Sequence, residues 1–363
     1  MNNGILHIFA SPTWGGGEQY VYDLAKKQSA SGYRVSLISA PSKIIRKKVE
    51  HSENPYYVLK NKGYNLFSIL FVRRVILREK ITFVHVHQFK DAFIAVLAAC
   101  LVAASKRPKV IITRHLVKQG KANRPYRWLY KKLDKIIFVS ELAKNVFSTN
   151  IQLDNNKTVV VHNSLPERTS VAETTTFRER YKIADDDLLI GFLGRLTEIK
   201  GVELLLKAAE KLNNRKIVFL LAGSGENQYE IYLKSIIHDK QLTGRVHLVG
   251  FLENPELFVN EMDIGLLPSL VAEAFGLSML EFMRAGKPVI TSNNGAQTEF
   301  VENGRTGLLV NPTVEEITEA LTSLLDDEKK RREIGENAKI VCEENFNYDR
   351  FYTRIMKEYG LIS

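Results

Sequence analysis

Short apolar runs recur along this chain, and between most of them the residues change to a helical spacing. The first series occupies 5–9, 35–38, 83–87, 109–113, 135–139 and 158–161. The second occupies 188–193, 217–222, 246–248, 264–267, 288–291 and 307–310. Strands that read as near-continuous apolar runs are covered on both faces, and a helix between successive strands leaves parallel pairing as the arrangement that fits. The pattern therefore predicts an α/β chain with two doubly wound parallel sheets. At 363 residues the chain is long enough for two cores.

The two series are separated by a polar, Thr-rich stretch after His162-Asn163-Ser164-Leu165-Pro166. This places a boundary between a first domain, 1–166, and a second, 167–343. Beyond it, 344–363 carries Phe346, Phe351, Tyr352, Ile355, Met356 and Tyr359 at intervals of three to five. That spacing predicts an amphipathic helix needing a partner surface, expected to be the first domain.

Ligands of doubly wound sheets gather beyond the C-terminal strand ends, so the residues there carry the chemistry. The run 264–267 leads into Pro268 and Ser269, then a loop holding Glu273, then Phe275-Gly276-Leu277 at the start of a helical pattern that includes Glu281. A helix start has unpaired N–H groups and the positive end of the dipole, which suits a phosphate. Glu281, one turn further in, is placed to reach the two hydroxyls of a ribose. After 188–193 come Gly194-Arg195 and then Lys200-Gly201. These two cations flank one strand-to-helix loop and suit a diphosphate, or else are solvated surface charges.

The first domain has a parallel feature. Strand 5–9 breaks into Ser11-Pro12-Thr13-Trp14-Gly15-Gly16-Gly17 before a helical pattern, as a phosphate-approaching loop or a flexible turn. His87, His115 and Ser140 stand at strand ends; His115 lies just past its strand, in the layer of the glycine loop. A hydrogen-bonded structural role is the alternative for each histidine. Asp185-Asp186-Asp187 precedes a strand, at the wrong sheet end for a nucleotide-bound metal, and reads as a solvated turn. No other cluster has metal-ligand spacing, so neither a metal nor a cofactor is implied.

Charge is divided unevenly. Residues 1–165 hold 27 Lys+Arg against 9 Asp+Glu, and the remainder 24 against 32, giving +18 and −8. A basic half favours a polyanionic partner, whether phospholipid headgroups, a diphosphate-linked acceptor or nucleic acid. Within it, 106–135 interleaves Lys and Arg with Tyr126, Trp128 and Tyr130, either as a membrane-surface segment or as a solvated helix face. The longest apolar run, 92–104, is too short to span a bilayer. The start of the chain lacks the basic residues of a signal peptide, and Cys100 and Cys342 stand apart as in a reducing compartment. A cytoplasmic protein, peripheral at the inner membrane face if the basic segment docks there, is the expectation.

Taken together, PSLVAEAFGLSMLEFMRAGKPVI at 268–290 with its Glu273/Glu281 pair, Gly194-Arg195 with Lys200-Gly201, the glycine loop, TRH at His115, FVSE at Ser140 and Glu299-Phe300-Val301 resemble the retaining glycosyltransferases of family 4. The resemblance implies a GT-B fold, two Rossmann-like doubly wound domains facing across a cleft, and transfer of a sugar from a UDP- or GDP-sugar to a hydroxyl of a glycan, lipid-linked or other acceptor. Cell-surface polysaccharide or glycoconjugate synthesis is the expected setting. It further implies that Arg195 and Lys200 hold the donor diphosphate, that Phe275, Gly276 and Leu277 offer it backbone donors, and that Glu281 binds the ribose. Glu273 is expected on the donor sugar, with His115, Gly16 and Gly17 contributed by the first domain.

The resemblance also implies that the leaving diphosphate helps to deprotonate the attacking hydroxyl on the same face. Departures from the family pattern are Asn163-Ser164 in the linker, Gly295-Ala296 before Glu299, and Phe282 and Arg284 where small residues are usual. Two other classes fit parts of the sequence: a nucleotide-sugar epimerase or inverting GT-B enzyme, and a non-enzymatic binder of anionic surfaces or nucleic acid. The acidic second half carries the sharper motif, so a nucleic-acid partner is not expected.

Overall fold

A computed structural model describes residues 3–10, 14–50, 52, 54–59, 65–166 and 175–362. Residues 11–13 of the glycine loop and 167–174 of the polar linker lie outside the described residues. The chain forms two compact units, Met1–Asn163 with Asp349–Ser363, and Ser164–Tyr348.

The first unit holds seven parallel strands: β1 (Gly4–Phe9), β2 (Arg34–Ser39), β3 (Tyr56–Val58), β4 (Ile81–Val86), β5 (Lys109–Arg114), β6 (Lys135–Phe138) and β7 (Thr158–Val160). Their order across the sheet is β3-β2-β1-β4-β5-β6-β7, and every pairing is parallel. Order reverses between β1 and β4, so the loops leaving these two strands diverge at their C-terminal ends. Strand β3 was not expected from the sequence: three residues, two of them Tyr, make no apolar run. The core forms where β1, β4 and β5 pack on the helices Leu66–Arg78 and Phe89–Cys100.

The second unit has six parallel strands: β8 (Leu188–Leu193), β9 (Ile217–Ala222), β10 (Val246–Gly250), β11 (Ile264–Leu267), β12 (Val289–Ser292) and β13 (Leu308–Val310). Their order is β10-β9-β8-β11-β12-β13, reversing between β8 and β11. The two loops that the sequence singled out, 194–201 and 268–276, thus leave the two strands that flank the reversal.

The helix Leu277–Arg284 packs on this sheet through Met279, Leu280, Phe282 and Met283, all buried. Gly191 on β8 and Gly265 on β11 face one another in register. A Cβ at Gly265 would lie 2.6 Å from Phe282 Cγ, and one at Gly191 would lie 3.0 Å from Phe282 Cε1 and 2.5 Å from Met262 Cγ. The paired glycines therefore form a slot that takes the Phe282 ring, and the large residue at this position has its compensation in the sheet beneath it. Gly265→Ala is expected to cost about 1–3 kcal/mol by overpacking. Urea unfolding checks this, and adding Phe282→Leu to Gly265→Ala should recover part of the loss.

Candidate functional site

The loops after β8 and β11 touch at their backbones. Gly201 adopts φ +70°, and a Cβ there would come within 2.0 Å of the Pro268 carbonyl oxygen. Leu270 N–H donates to Ile199 O at 2.9 Å and completes the stitch. Lys200, one residue before that glycine, consequently reaches Glu273: Lys200 Nζ donates to Glu273 Oε1 at 2.5 Å. Ser269 Oγ donates to the same carboxylate oxygen. Both charged side chains keep about a fifth of their surface exposed, so the pair is shielded from bulk water and still open to a ligand.

Ser269 was not singled out by the sequence, although it sits in the motif. Its own carbonyl accepts from Ser292 Oγ at 2.8 Å and Asn294 Nδ2 at 3.0 Å, which ties the β11 loop to the β12 loop. Ala296 N–H donates to Glu273 O at 2.9 Å from the same β12 loop. Glu273 is thus held by three loops at one sheet edge. Arg195 lies exposed at the start of the β8 loop, and no partner for its guanidinium occurs among the described residues.

Gly276 begins the helix Leu277–Arg284 with φ +94°, a conformation that favours glycine. The amides of Gly276, Leu277 and Ser278 have no backbone acceptor among the described residues, as expected for a first turn. Phe275 offers only its backbone, because its ring is buried against Phe300 and Phe346 with centroids 5.0 and 5.7 Å away.

Glu281 is 4% exposed, and Arg284 Nη2 donates to its Oε2 at 2.8 Å. Arg284 Nη1 also donates to Pro166 O at 2.8 Å. The arginine found where small residues are usual therefore orients the carboxylate assigned to the ribose. Asp186, in the aspartate triplet, pairs with Lys216 before β8, away from this edge.

In the first unit, Gly16 and Gly17 open the helix Gly16–Ala30, and nothing lies within 4 Å of a Cβ built on Gly17. The preceding backbone is held at Ala10, whose N–H donates at 3.1 Å to buried Asp91. Burial raises the Asp91 carboxyl to about 6.

His115 stands just past β5 and forms one end of a histidine cluster. Its Nε2 lies 3.2 Å from His87 Nδ1, and His87 Nε2 lies 3.2 Å from His7 Nδ1. His7 Nε2 meets Gln28 Oε1 at 2.7 Å. His85 stands alongside, with Nδ1 2.8 Å from Tyr359 Oη and Nε2 2.7 Å from Thr113 Oγ1. Burial lowers all four histidines, His7 to about 4 and His115 to about 3, the latter helped by Arg114.

The sequence named His87 and His115 as strand-end residues but not His7 or His85. In HVHQ the two-residue spacing puts His85 and His87 on one sheet face. His7 joins them through its register opposite His85, which only the strand order supplies. His7, His85 and His87 present ring nitrogens within 4.8 Å of one another, a grouping able to hold a metal ion that linear spacing did not reveal. Each of these rings has its nitrogens engaged in the hydrogen bonds above.

The profile of the family described as Glycosyl transferases group 1 matches residues 173–341, and that of Glycosyltransferase Family 4 matches 14–167. The chain belongs to the family 4 glycosyltransferases. Among relatives of this transferase, the O-antigen biosynthesis glycosyltransferase WclY of Escherichia coli is 31% identical over 46% of this chain and 44% of its own length. The chain thus spans less than half of that relative. The N-acetyl-alpha-D-glucosaminyl L-malate synthase of Bacillus anthracis is 25% identical over 96% of this chain and 94% of its own. The crystal structure of Anabaena Alr3699/HepE in complex with UDP and glucose superposes with a TM-score of 0.84 at 20% identity, covering 98% of this chain and 99% of that one. The fold is GT-B, with two Rossmann-like α/β units.

In this transferase, Arg284→Met would deprive a buried carboxylate of its guanidinium. The expected loss is about 1–3 kcal/mol, reduced from a fully buried pair because Arg284 is partly exposed. Urea unfolding measures it, and Glu281→Gln in the same chain should restore part of it.

Proposed function

We propose that the protein is a retaining glycosyltransferase that moves a sugar from a UDP- or GDP-sugar to a hydroxyl of a glycan or lipid-linked acceptor, in polysaccharide or glycoconjugate synthesis. The observation that carries this reading is the Lys200–Glu273–Ser269 constellation at the reversal of the second sheet, beside the first-turn amides of Gly276, Leu277 and Ser278. Family membership supports it, as do the activities for which the relatives are named; the UDP complex of the Anabaena protein favours uridine over guanosine.

Departure of a nucleoside diphosphate leaves negative charge at the phosphates and positive charge at the anomeric carbon. Arg195, Lys200 and the helix N-terminus answer the first. Lys200 is anchored by Glu273 before any donor arrives, so little reorganisation is needed. Glu273 is assigned to hydroxyls of the donor sugar, its second oxygen leaving room beyond the bond to Lys200. Glu281, oriented by Arg284, is assigned to the ribose. His115, Gly16 and Gly17 are the first unit's contribution. With cations and amides stabilising the leaving group, no cofactor is required; the nucleotide-sugar is a substrate.

Loss of one such donor typically lowers turnover about 10²–10³-fold. Arg195→Ala and Lys200→Ala are each expected to reduce kcat by that order with folding unchanged, in an assay that follows nucleotide release from UDP- and GDP-sugars. Near-normal transfer by the double variant removes the assigned diphosphate role. NMR of the product's anomeric centre separates retention from inversion or epimerisation.

A surface feature favours an acceptor presented at an anionic membrane on the cytoplasmic side. The helix Leu66–Arg78 exposes Leu66, Phe67, Leu70 and Leu77, with Phe67 75% exposed, beside Arg74 and Arg78. The helix Lys43–Val49 exposes Ile44 among Lys43, Lys47 and Lys48. Apolar side chains flanked by cations suit a headgroup layer. In 106–135, where the sequence located this property, Leu129 and Tyr130 are buried, while Leu116 is 58% and Trp128 36% exposed, so fewer apolar side chains are exposed there than on the helix Leu66–Arg78. Among the described residues no helix is long and apolar enough to cross a membrane. Phe67→Ser is expected to weaken binding to phosphatidylserine vesicles about ten- to hundredfold, from the ~1.5–3 kcal/mol of one buried aromatic. Cosedimentation measures this, and unchanged binding would reject the surface.

A further inference from the structure

The histidine chain of the first unit has a direction, and one amide sets it. A neutral imidazole has one nitrogen that donates and one that accepts. Three imidazoles in line, His7, His87 and His115, therefore have only two self-consistent arrangements, which differ in the tautomer of every ring. The choice is made where the line ends at Gln28. The Gln28 amide touches His7 Nε2 on one side at 2.7 Å. On the other it faces Met356 Sδ at 3.7 Å and Tyr359 Oη at 3.4 Å, both from the last helix, Tyr348–Tyr359.

A thioether sulfur accepts hydrogen bonds and cannot donate them. The NH₂ group of Gln28 therefore faces Met356, and its carbonyl oxygen faces His7. His7 must then donate from Nε2, which leaves Nδ1 as acceptor. His87 donates to it from Nε2 and in turn accepts at Nδ1 from Nε2–H of His115. At the far end Nδ1 of His115 carries a lone pair, and no partner for it occurs among the described residues.

We propose that Gln28, held by Met356 and Tyr359, fixes His115 as the Nε2–H tautomer through His7 and His87, presenting its Nδ1 lone pair as a hydrogen-bond or proton acceptor. Gln28, His7 and His87 are positioning residues in this scheme. If a substrate hydroxyl gives its proton to His115 Nδ1, the Nε2 proton can shift to His87 Nδ1, and the His87 Nε2 proton to His7 Nδ1. The positive charge spreads over three rings and stops at Gln28, whose amide oxygen does not take the proton. The depressed basicity of the cluster agrees with rings that rest neutral. Any effect on transfer rests on the part given to His115 above; the tautomer itself does not.

The test uses the full chain labelled with ¹⁵N-histidine and two-bond ¹H–¹⁵N correlation spectra, with His115 assigned from the spectrum of His115→Gln. The expected result is a non-protonated Nδ1 and protonated Nε2 for His7, His87 and His115. Gln28→Leu should move the His115 Nδ1 resonance toward the protonated range as both directions become populated, and Gln28→Glu, which keeps the acceptor, should hold it near wild type. An Nδ1–H tautomer of His115 in the wild-type protein overturns the proposal, as does an unmoved His115 in folded Gln28→Leu. Stoichiometric Zn²⁺ that shifts His7 Nδ1 and His87 Nε2 together also overturns it, because the shared proton would then give way to a metal. If Gln28→Leu changes the tautomer while nucleotide-sugar transfer is unchanged, the relay stands and the role of His115 in transfer fails.

Discussion

Everything at the C-terminal edge of the second sheet depends on one backbone contact, that of Gly201 against the carbonyl of Pro268. Parallel pairing of β8 with β11 brings their ends to the same edge, but it does not make the loops beyond them touch. A side chain at position 201 would hold the loops apart, and Lys200 could not reach Glu273. The glycine therefore converts an ordinary feature of doubly wound sheets, two loops diverging at the reversal, into an ion pair with a helix N-terminus beside it. Ser269, Ser292 and Asn294 extend the same stitching to the next loop.

The two units solve the problem of keeping polar groups ready in opposite ways. The second keeps full charges, Lys200 and Glu273, partly wet and mutually compensated, so neither bears an unpaired desolvation cost. The first buries neutral imidazoles and satisfies them by one another and by Gln28, Thr113 and Tyr359. A low-dielectric setting makes such a network directional, since each ring's proton dictates the next. The ion pair suits holding a polyanion, the histidine network the movement of a proton.

Much of the fold was legible because apolar runs in covered parallel strands are continuous: the runs at 188–193, 217–222 and 264–267 coincide with β8, β9 and β11. Strand β3 was illegible because three residues at a sheet edge need little apolar surface. The loop residues Arg195, Lys200, Glu273 and Gly276 could be read from strand ends alone, since topology sends them to one edge. Ser269 and Arg284 act through contacts within a turn, and only coordinates show which oxygen each meets. His7 was hidden for a different reason: its neighbour His85 is 78 positions away, and pairing of β1 with β4 is a property of the sheet order.

The last helix supplies Met356 and Tyr359 to the interior of a unit whose other residues end at Asn163. During synthesis the first sheet emerges from the ribosome long before these side chains exist. Until then His85 and Gln28 lack the hydroxyl they meet in the finished protein, and the nascent unit carries unsatisfied polar groups in its core. The complete second unit will have been made by the time that hydroxyl arrives. Closure of the polar interior therefore waits on a helix made after the whole of the second unit, and Gln28 and His85 reach their finished hydrogen bonds only when Met356 and Tyr359 dock.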